Sequence, residues 1–269
     1  MSDQDSSPEQ QVPAQRISTS LDWADMVLDA RVRGEIEMIA RWVRHSQTLL
    51  ETWRLARRLK PGYRSLFYGP PGTGKTLAAC LLGKAAGLAV YRVDLARLVS
   101  GWIGETEKDL ARLFDQAAAQ DWILFFDQAD VLFGKRTESR SANDRAANQQ
   151  IAYLLQRIED YPGIVILETN LRSHMDEAFA RRFQSVIHFP MPDAEQRLRL
   201  WRGIFSDTGF ALAADVDLAR FAEDHELAGG SIVNVLRHAA LLAAERKPAV
   251  ASAEDMRHAI LLELRKDVP

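Results

Sequence analysis

Ser65-Leu-Phe-Tyr68-Gly69-Pro70-Pro71-Gly72-Thr73-Gly74-Lys75-Thr76-Leu77 is the stretch that decides how this chain folds. SLFY is a short apolar run of strand character. GPPGTGKT, residues 69–76, fits G-x-x-x-x-G-K-[ST]. TLAACLLGKAAG, which follows, has helical composition. A strand that feeds a glycine loop and then a helix N-terminus builds a cradle for phosphate. The glycines leave backbone N–H groups facing phosphate oxygens with no Cβ in the way, and the helix dipole adds positive potential. Lys75 is expected to reach β- and γ-phosphates, and the Thr76 hydroxyl to ligate Mg2+. Gly69 through Leu77 are therefore the nucleotide-binding candidates.

Outward from this loop, strand-like and helical runs alternate. Apolar runs fall at Ser65–Tyr68, Ala89–Val93, Trp122–Phe126, Ile164–Glu168 and Val186–Phe189, with helical patterns near 75–87, 106–120, 143–160 and 174–182. That alternation predicts βαβ units and a doubly wound parallel sheet of five strands. Runs such as ILFF suit strands buried on both faces. From about Arg31 a further helix is expected, with Ile36, Ile39, Trp42 and Val43 on one face and Arg41, Arg44 and Arg54 in solvent. After Pro190 and Pro192 the strand signals stop. Residues 193–208, 215–224, 230–246 and 252–265 read as helices, with Asp193, Asp215, Ser231 and Ser252 as N-caps. The expected organisation is a disordered polar tail over 1–20, a large α/β domain over 21–191 and a small all-helical lid domain over 192–269.

Composition narrows the class further. The chain has 269 residues, 34 Lys and Arg against 37 Asp and Glu, and a net charge of −3, so no overall basic field argues for nucleic acid. One cysteine, Cys80, excludes a disulfide framework and a multi-cysteine zinc site. No apolar run approaches the ~18 residues of a membrane span, and the polar N-terminus is not a secretory leader. A cytoplasmic protein without membrane attachment is expected.

Ile123-Leu-Phe-Phe-Asp127 is an apolar strand ending in Asp, where a P-loop protein places the carboxylate that holds the Mg2+ water shell. The next residue is Gln128. A carboxylate there would take the proton of the attacking water; a neutral amide orients water but cannot accept its proton. GPPGTGKT, ILFFDQAD and the LETN strand end together resemble the AAA+ ATPase family, and the resemblance covers about residues 20–265. In that family the second acidic motif usually ends Asp-Glu, so Gln128 is a departure. It reads either as an introduced Glu→Gln change that traps the ATP-bound state or as a naturally weak or inactive ATPase. The intact remainder of the machinery favours the trap.

The resemblance implies roles for further residues. Asn170 matches the polar residue that senses the γ-phosphate. Arg181 and Arg182, in DEAFARRF, match the segment that supplies arginine fingers to the neighbouring subunit, which would make the active site a property of an oligomer. Many relatives space those arginines by two residues, so which of the pair touches phosphate stays open. Trp102, Ile103 and Gly104 are similar to the aromatic–hydrophobic–glycine loop of protein-threading rings, and Phe133–Asp144 fits a second pore loop or an ordinary solvated one. At Gly229-Gly230-Ser231 the arginine that some branches place against the γ-phosphate is missing, and Arg237 falls about two turns too late.

These positions imply an ATP- and Mg2+-dependent homo-oligomer, a hexameric ring, that threads a protein partner through its pore. The resemblance is to small single-ring bacterial members of the protein-remodelling branch. One such group resembles the ATPase that remodels HORMA-domain proteins and works in anti-phage signalling operons; another accompanies contractile injection systems. A DNA-acting helper is disfavoured by the acidic balance and by Trp102. A nucleotide switch that never hydrolyses is permitted by Gln128.

Overall fold

The computed structural model describes residues 14–95, 106–132, 142–170, 177–206 and 208–267. The candidate pore residues Trp102, Ile103 and Gly104 lie outside these, as do 133–141 of the second candidate pore loop, while Ala142–Asp144 begin a helix.

The expected strands form at β2 (Tyr63–Tyr68), β3 (Val90–Asp94), β4 (Ile123–Asp127), β5 (Ile164–Thr169) and β6 (Ser185–His188). They are parallel and lie in the order β3-β4-β5-β2-β6. Alternation along each strand sorts side chains to two faces. Leu66, Leu124, Phe126, Val165 and Leu167 share one core with α3 (Thr106–Ala119) and α4 (Ala142–Asp160). Phe67, Ile123, Phe125, Ile164 and Ile166 share another with α1 (Ala30–Gln47) and α2 (Lys75–Ala86). The unbroken apolar runs Ile123–Phe126 of β4 and Ile164–Leu167 of β5 are thus the direct result of helices covering both faces. In α1, Val32, Ile36 and Ile39 are buried while Arg41 and Arg44 face solvent, as the spacing predicts.

One strand was not expected. β1 (Gln15–Ile17) lies in the segment read as a disordered tail over 1–20. It pairs antiparallel with β3, Arg16 opposite Tyr91, and makes the sheet six-stranded. Three polar-flanked residues carry no strand signal alone; the open edge of β3 supplies the partner groups, and β1 covers an edge that would otherwise be bare. Ala14 and Ile17 pack against the two cores.

α5 (Glu177–Ala180) precedes β6; beyond that strand come α6 (Ala194–Phe205), α7 (Leu218–Asp224), α8 (Gly229–Ala244) and α9 (Ala253–Leu264). They close around Trp201, Ile232, Val235 and Met256. This part is not wholly helical. β7 (Ala211–Leu212) and β8 (Val250–Ala251) make a minimal parallel pair. Asp193 and Ser252 cap α6 and α9 in capping boxes, as expected. Asp215 does not cap α7; Asp217 does, and Asp215 instead accepts from the Ala253 N–H at the start of α9. Ser231 is no cap either, because α8 begins at Gly229 with Ala228 as N-cap.

The strand that carries the phosphate loop is anchored by a buried arginine. Arg64 on β2 is 4% exposed, and its guanidinium donates to the carbonyls of Ile158, Glu159, Pro61 and Tyr161. These include the carbonyls that the C-terminal end of α4 leaves without helical partners. Arg64→Met keeps the apolar stem and removes the donors. Each buried acceptor left unpaired costs about 1–3 kcal/mol, so thermal unfolding followed by circular dichroism should show a midpoint several degrees lower.

Candidate functional site

The site lies at the carboxyl ends of β2, β4 and β5, where ligands bind in open α/β sheets. Residues 69–74 run from β2 to the first turn of α2. Gly69 has φ +143°, and a Cβ there would fall 2.1 Å from the Phe189 carbonyl oxygen. Only glycine fits between the phosphate loop and the end of β6.

Lys75 turns back under this loop and is 5% exposed. Its Nζ donates to the carbonyls of Gly69 and Pro70 at 2.8 Å each and to Asn170 Oδ1 at 2.9 Å, and lies 3.1 Å from Glu168 Oε1. The structure therefore joins the predicted loop to the predicted Asn170 through the lysine itself. Thr73 ties the loop from within, its hydroxyl donating to the Pro70 carbonyl. Thr76 is exposed, while Leu77 packs partly against the core under α2.

Asp127 ends β4 and pairs with Arg92 of β3. It also accepts the backbone N–H of Gln128 at 2.8 Å. Gln128 is exposed and has φ +57°, a left-handed conformation uncommon outside glycine. Such strain concentrates at functional sites. Thr169 points to the other face of β5, where its hydroxyl meets Asp130.

Two functional residues are not singled out by the sequence pattern. Glu168 reads as no more than part of a strand end, yet it is buried against Lys75 and hydrogen-bonded to Asp127. Burial and the neighbouring Asp127 push its carboxyl up to about 7, against the pull of Lys75. Burial also opposes the charge on Asp127. There the hydrogen bond with Glu168, then Arg92 and the Gln128 N–H, outweigh it and hold the carboxyl below the usual range. Arg92 is the second omission. A carboxylate in an apolar strand was the available signal for Glu168; an arginine on β3 offered none, because its partner comes from another strand.

Thr76 and Asp127 supply hard oxygen donors suited to Mg2+. Among the described residues no group of three His, Cys, Asp or Glu side chains stands ready for a metal.

The helical part closes on the same loop. The Gly230 N–H donates to the Gly72 carbonyl at 3.0 Å, and a Cβ on Gly230 would stand 3.1 Å from Gly72 Cα. The N-terminus of α8, with its partial positive charge, thus abuts the phosphate loop. Ser231 is engaged with Glu263 of α9 and Arg237 is exposed on α8. Arg181 and Arg182 are exposed after α5, and Arg182 pairs with Glu159 of α4.

Fold and site define a P-loop nucleotide-binding domain. Residues 65–191 match the model of the ATPase family associated with various cellular activities (AAA), and the chain carries an AAA-family ATPase domain. It is 34% identical over 179 residues to the uncharacterized AAA family ATPase y4kL of Sinorhizobium fredii, covering 64% of this chain and 54% of that protein. It is 32% identical over 209 residues to a katanin p60 ATPase-containing protein of Danio rerio, covering 74% and 42%. It is also 32% identical over 180 residues to the protein suppressor of K(+) transport growth defect 1 of Arabidopsis thaliana, covering 65% and 41%. The chain thus spans about half the length of these relatives or less. No helix among the described residues is long and apolar enough to cross a membrane.

Removing the lysine removes the buried cation that ties the loop to the end of β5. Lys75→Ala should abolish ATP binding in isothermal calorimetry; unchanged affinity would refute the phosphate-loop assignment.

Proposed function

We propose that this chain is one member of a ring-forming ATPase, a hexamer, that uses ATP binding and hydrolysis to remodel or unfold a protein partner through a central pore. The observation that carries the ATPase part is the bridge from Lys75 to Asn170, with Asp127 on the adjacent strand. These groups are what phosphoryl transfer needs: a cation on the β- and γ-phosphates, a carboxylate for the metal and a polar residue at the γ-phosphate. Lys75 and Asn170 orient the triphosphate; Asp127 and Thr76 would hold Mg2+, which supplies charge neutralisation when bound. Placement in the cytoplasm is part of this reading.

The ring rests on the arginines. Arg181 and Arg182 are exposed at the surface, as fingers offered to a neighbouring protomer would be. Guanidinium groups suit that task because they are always charged and grip phosphate bidentately. In a Gln128→Glu background, Arg181→Ala or Arg182→Ala should suppress turnover by about 10³–10⁵-fold while sparing ATP binding. Mixing that variant with Lys75→Ala should restore some activity, because the two defects then lie on different protomers. No rescue in mixed rings would argue against action in trans.

Threading rests on Trp102, between Gly101 and Ile103 in a polar, glycine-flanked segment. The partner class we favour from the sequence resemblance is a HORMA-domain protein of bacterial anti-phage signalling. Trp102→Ala, again with Gln128→Glu, should leave ATP binding and ring formation unchanged and abolish partner unfolding. A core tryptophan would behave otherwise, its truncation costing ~3–5 kcal/mol. A melting midpoint lowered by many degrees would remove Trp102 from the pore and leave threading without its main residue.

Beside the two readings of Gln128, the trap and a naturally weak or inactive ATPase, the buried carboxylate one strand away supports a third, in which the chain turns ATP over as it stands. The trap reading becomes its measurable rival.

A further inference from the structure

Gln128 leaves the β4 position without a group that can accept a proton, but the pocket is not without a carboxylate. Glu168 stands at the end of β5, next to Asp127 at the end of β4. The parallel register that pairs Phe126 with Leu167 makes these two residues neighbours across the strands. Phe125 and Ile166 face α1 and α2, so two-residue alternation puts Asp127, Glu168 and then Asn170 on the α2 side of the sheet, where Lys75 lies. The contacts agree: Glu168 touches Lys75 Nζ at 3.1 Å and hydrogen-bonds Asp127, and Asn170 accepts from the same Nζ at 2.9 Å. Both groups that Glu168 touches are ones that phosphoryl transfer recruits, the γ-phosphate lysine and the metal carboxylate. Gln128 by contrast is exposed on its left-handed turn, its N–H given to Asp127.

We propose that Glu168 supplies the catalytic carboxylate of ATP hydrolysis in this chain, from β5 rather than from the position after Asp127. The proposal rests on the ATPase reading of the site. Without nucleotide, Glu168 is held between Lys75 and Asp127. When a triphosphate draws Lys75 to its own oxygens, Glu168 is left facing the γ-phosphate with its cation partner gone. There it orients the attacking water. The water oxygen forms a bond to the γ-phosphorus, the bond from that phosphorus to the β–γ bridging oxygen breaks, and its electron pair leaves on ADP. The water's proton passes to the Glu168 carboxylate and from there to solvent. Gln128 keeps a hydrogen-bonding amide at the mouth of the site and takes no proton.

The test compares the unmodified chain with Glu168→Gln, Glu168→Asp, Gln128→Glu and the double variant Gln128→Glu with Glu168→Gln. Three quantities are measured: single-turnover cleavage of ATP, ATP affinity by calorimetry, and the nucleotide retained on the protein after incubation with ATP and Mg2+. The unmodified chain should cleave ATP above the Lys75→Ala background. Glu168→Gln should cleave about 10²–10⁴-fold more slowly, the usual worth of a general base. It should bind ATP as tightly and retain it as intact ATP, where the unmodified chain retains ADP. Glu168→Asp, which shortens the carboxylate, should also slow cleavage with binding kept, and Gln128→Glu should restore cleavage to Glu168→Gln. Cleavage by Glu168→Gln at the unmodified rate overturns the proposal. So does a weakening of ATP binding that accounts for the slower cleavage, which would make Glu168 a holder of Lys75 only. An unmodified chain at background, with Gln128→Glu active, overturns it in favour of the hydrolysis trap and leaves the ATPase reading standing. Absence of ATP binding in the unmodified chain overturns that reading itself.

Discussion

The ammonium of Lys75 is the point on which the site is built. A buried cation must be neutralised and hydrogen-bonded, or its desolvation cost is prohibitive. Here the partners come from three places: loop carbonyls of Gly69 and Pro70, the carboxylate of Glu168 and the amide of Asn170. Satisfying one charge therefore holds the phosphate loop, α2 and the end of β5 in a single arrangement. In the proposed function that arrangement is where a triphosphate would be received, its oxygens taking over Lys75 from these partners.

Around that point the two-faced sheet provides rigidity. β4 and β5 are buried on both sides, so the strand ends that deliver Asp127, Glu168 and Asn170 have little freedom to drift. Arg64 secures β2 to the end of α4. The phosphate loop, by contrast, is joined to the helical part through few groups, the Gly72–Gly230 contact among them.

Much of this was legible in the sequence, and the reasons differ by element. The five parallel strands fall within a few residues of their apolar runs, because strands covered on both faces are built on continuous apolar runs. The nucleotide loop was legible because its spacing admits few alternatives. β1 was not, since its stability comes from pairing with β3, some seventy positions along the chain. Asp215 and Ser231 read as caps because their local pattern fits; each instead engages α9, a partner invisible to local pattern. Glu168 lay in plain view in an apolar strand. Its meaning appears only once Lys75 and Asp127 are placed beside it.

The bare contact between Gly72 and Gly230 has a mechanical consequence. Two backbones meet with no side chain between them to absorb displacement, so movement of the phosphate loop is transmitted to α8 undamped. That helix has 16 residues and is about 24 Å long. With its N-terminus as fulcrum, a tilt of about 5° carries its far end through roughly 2 Å, at 1.5 Å of rise per residue. The far end of the helix lies beside α9 and β8, so a displacement at the loop would be felt across the helical part.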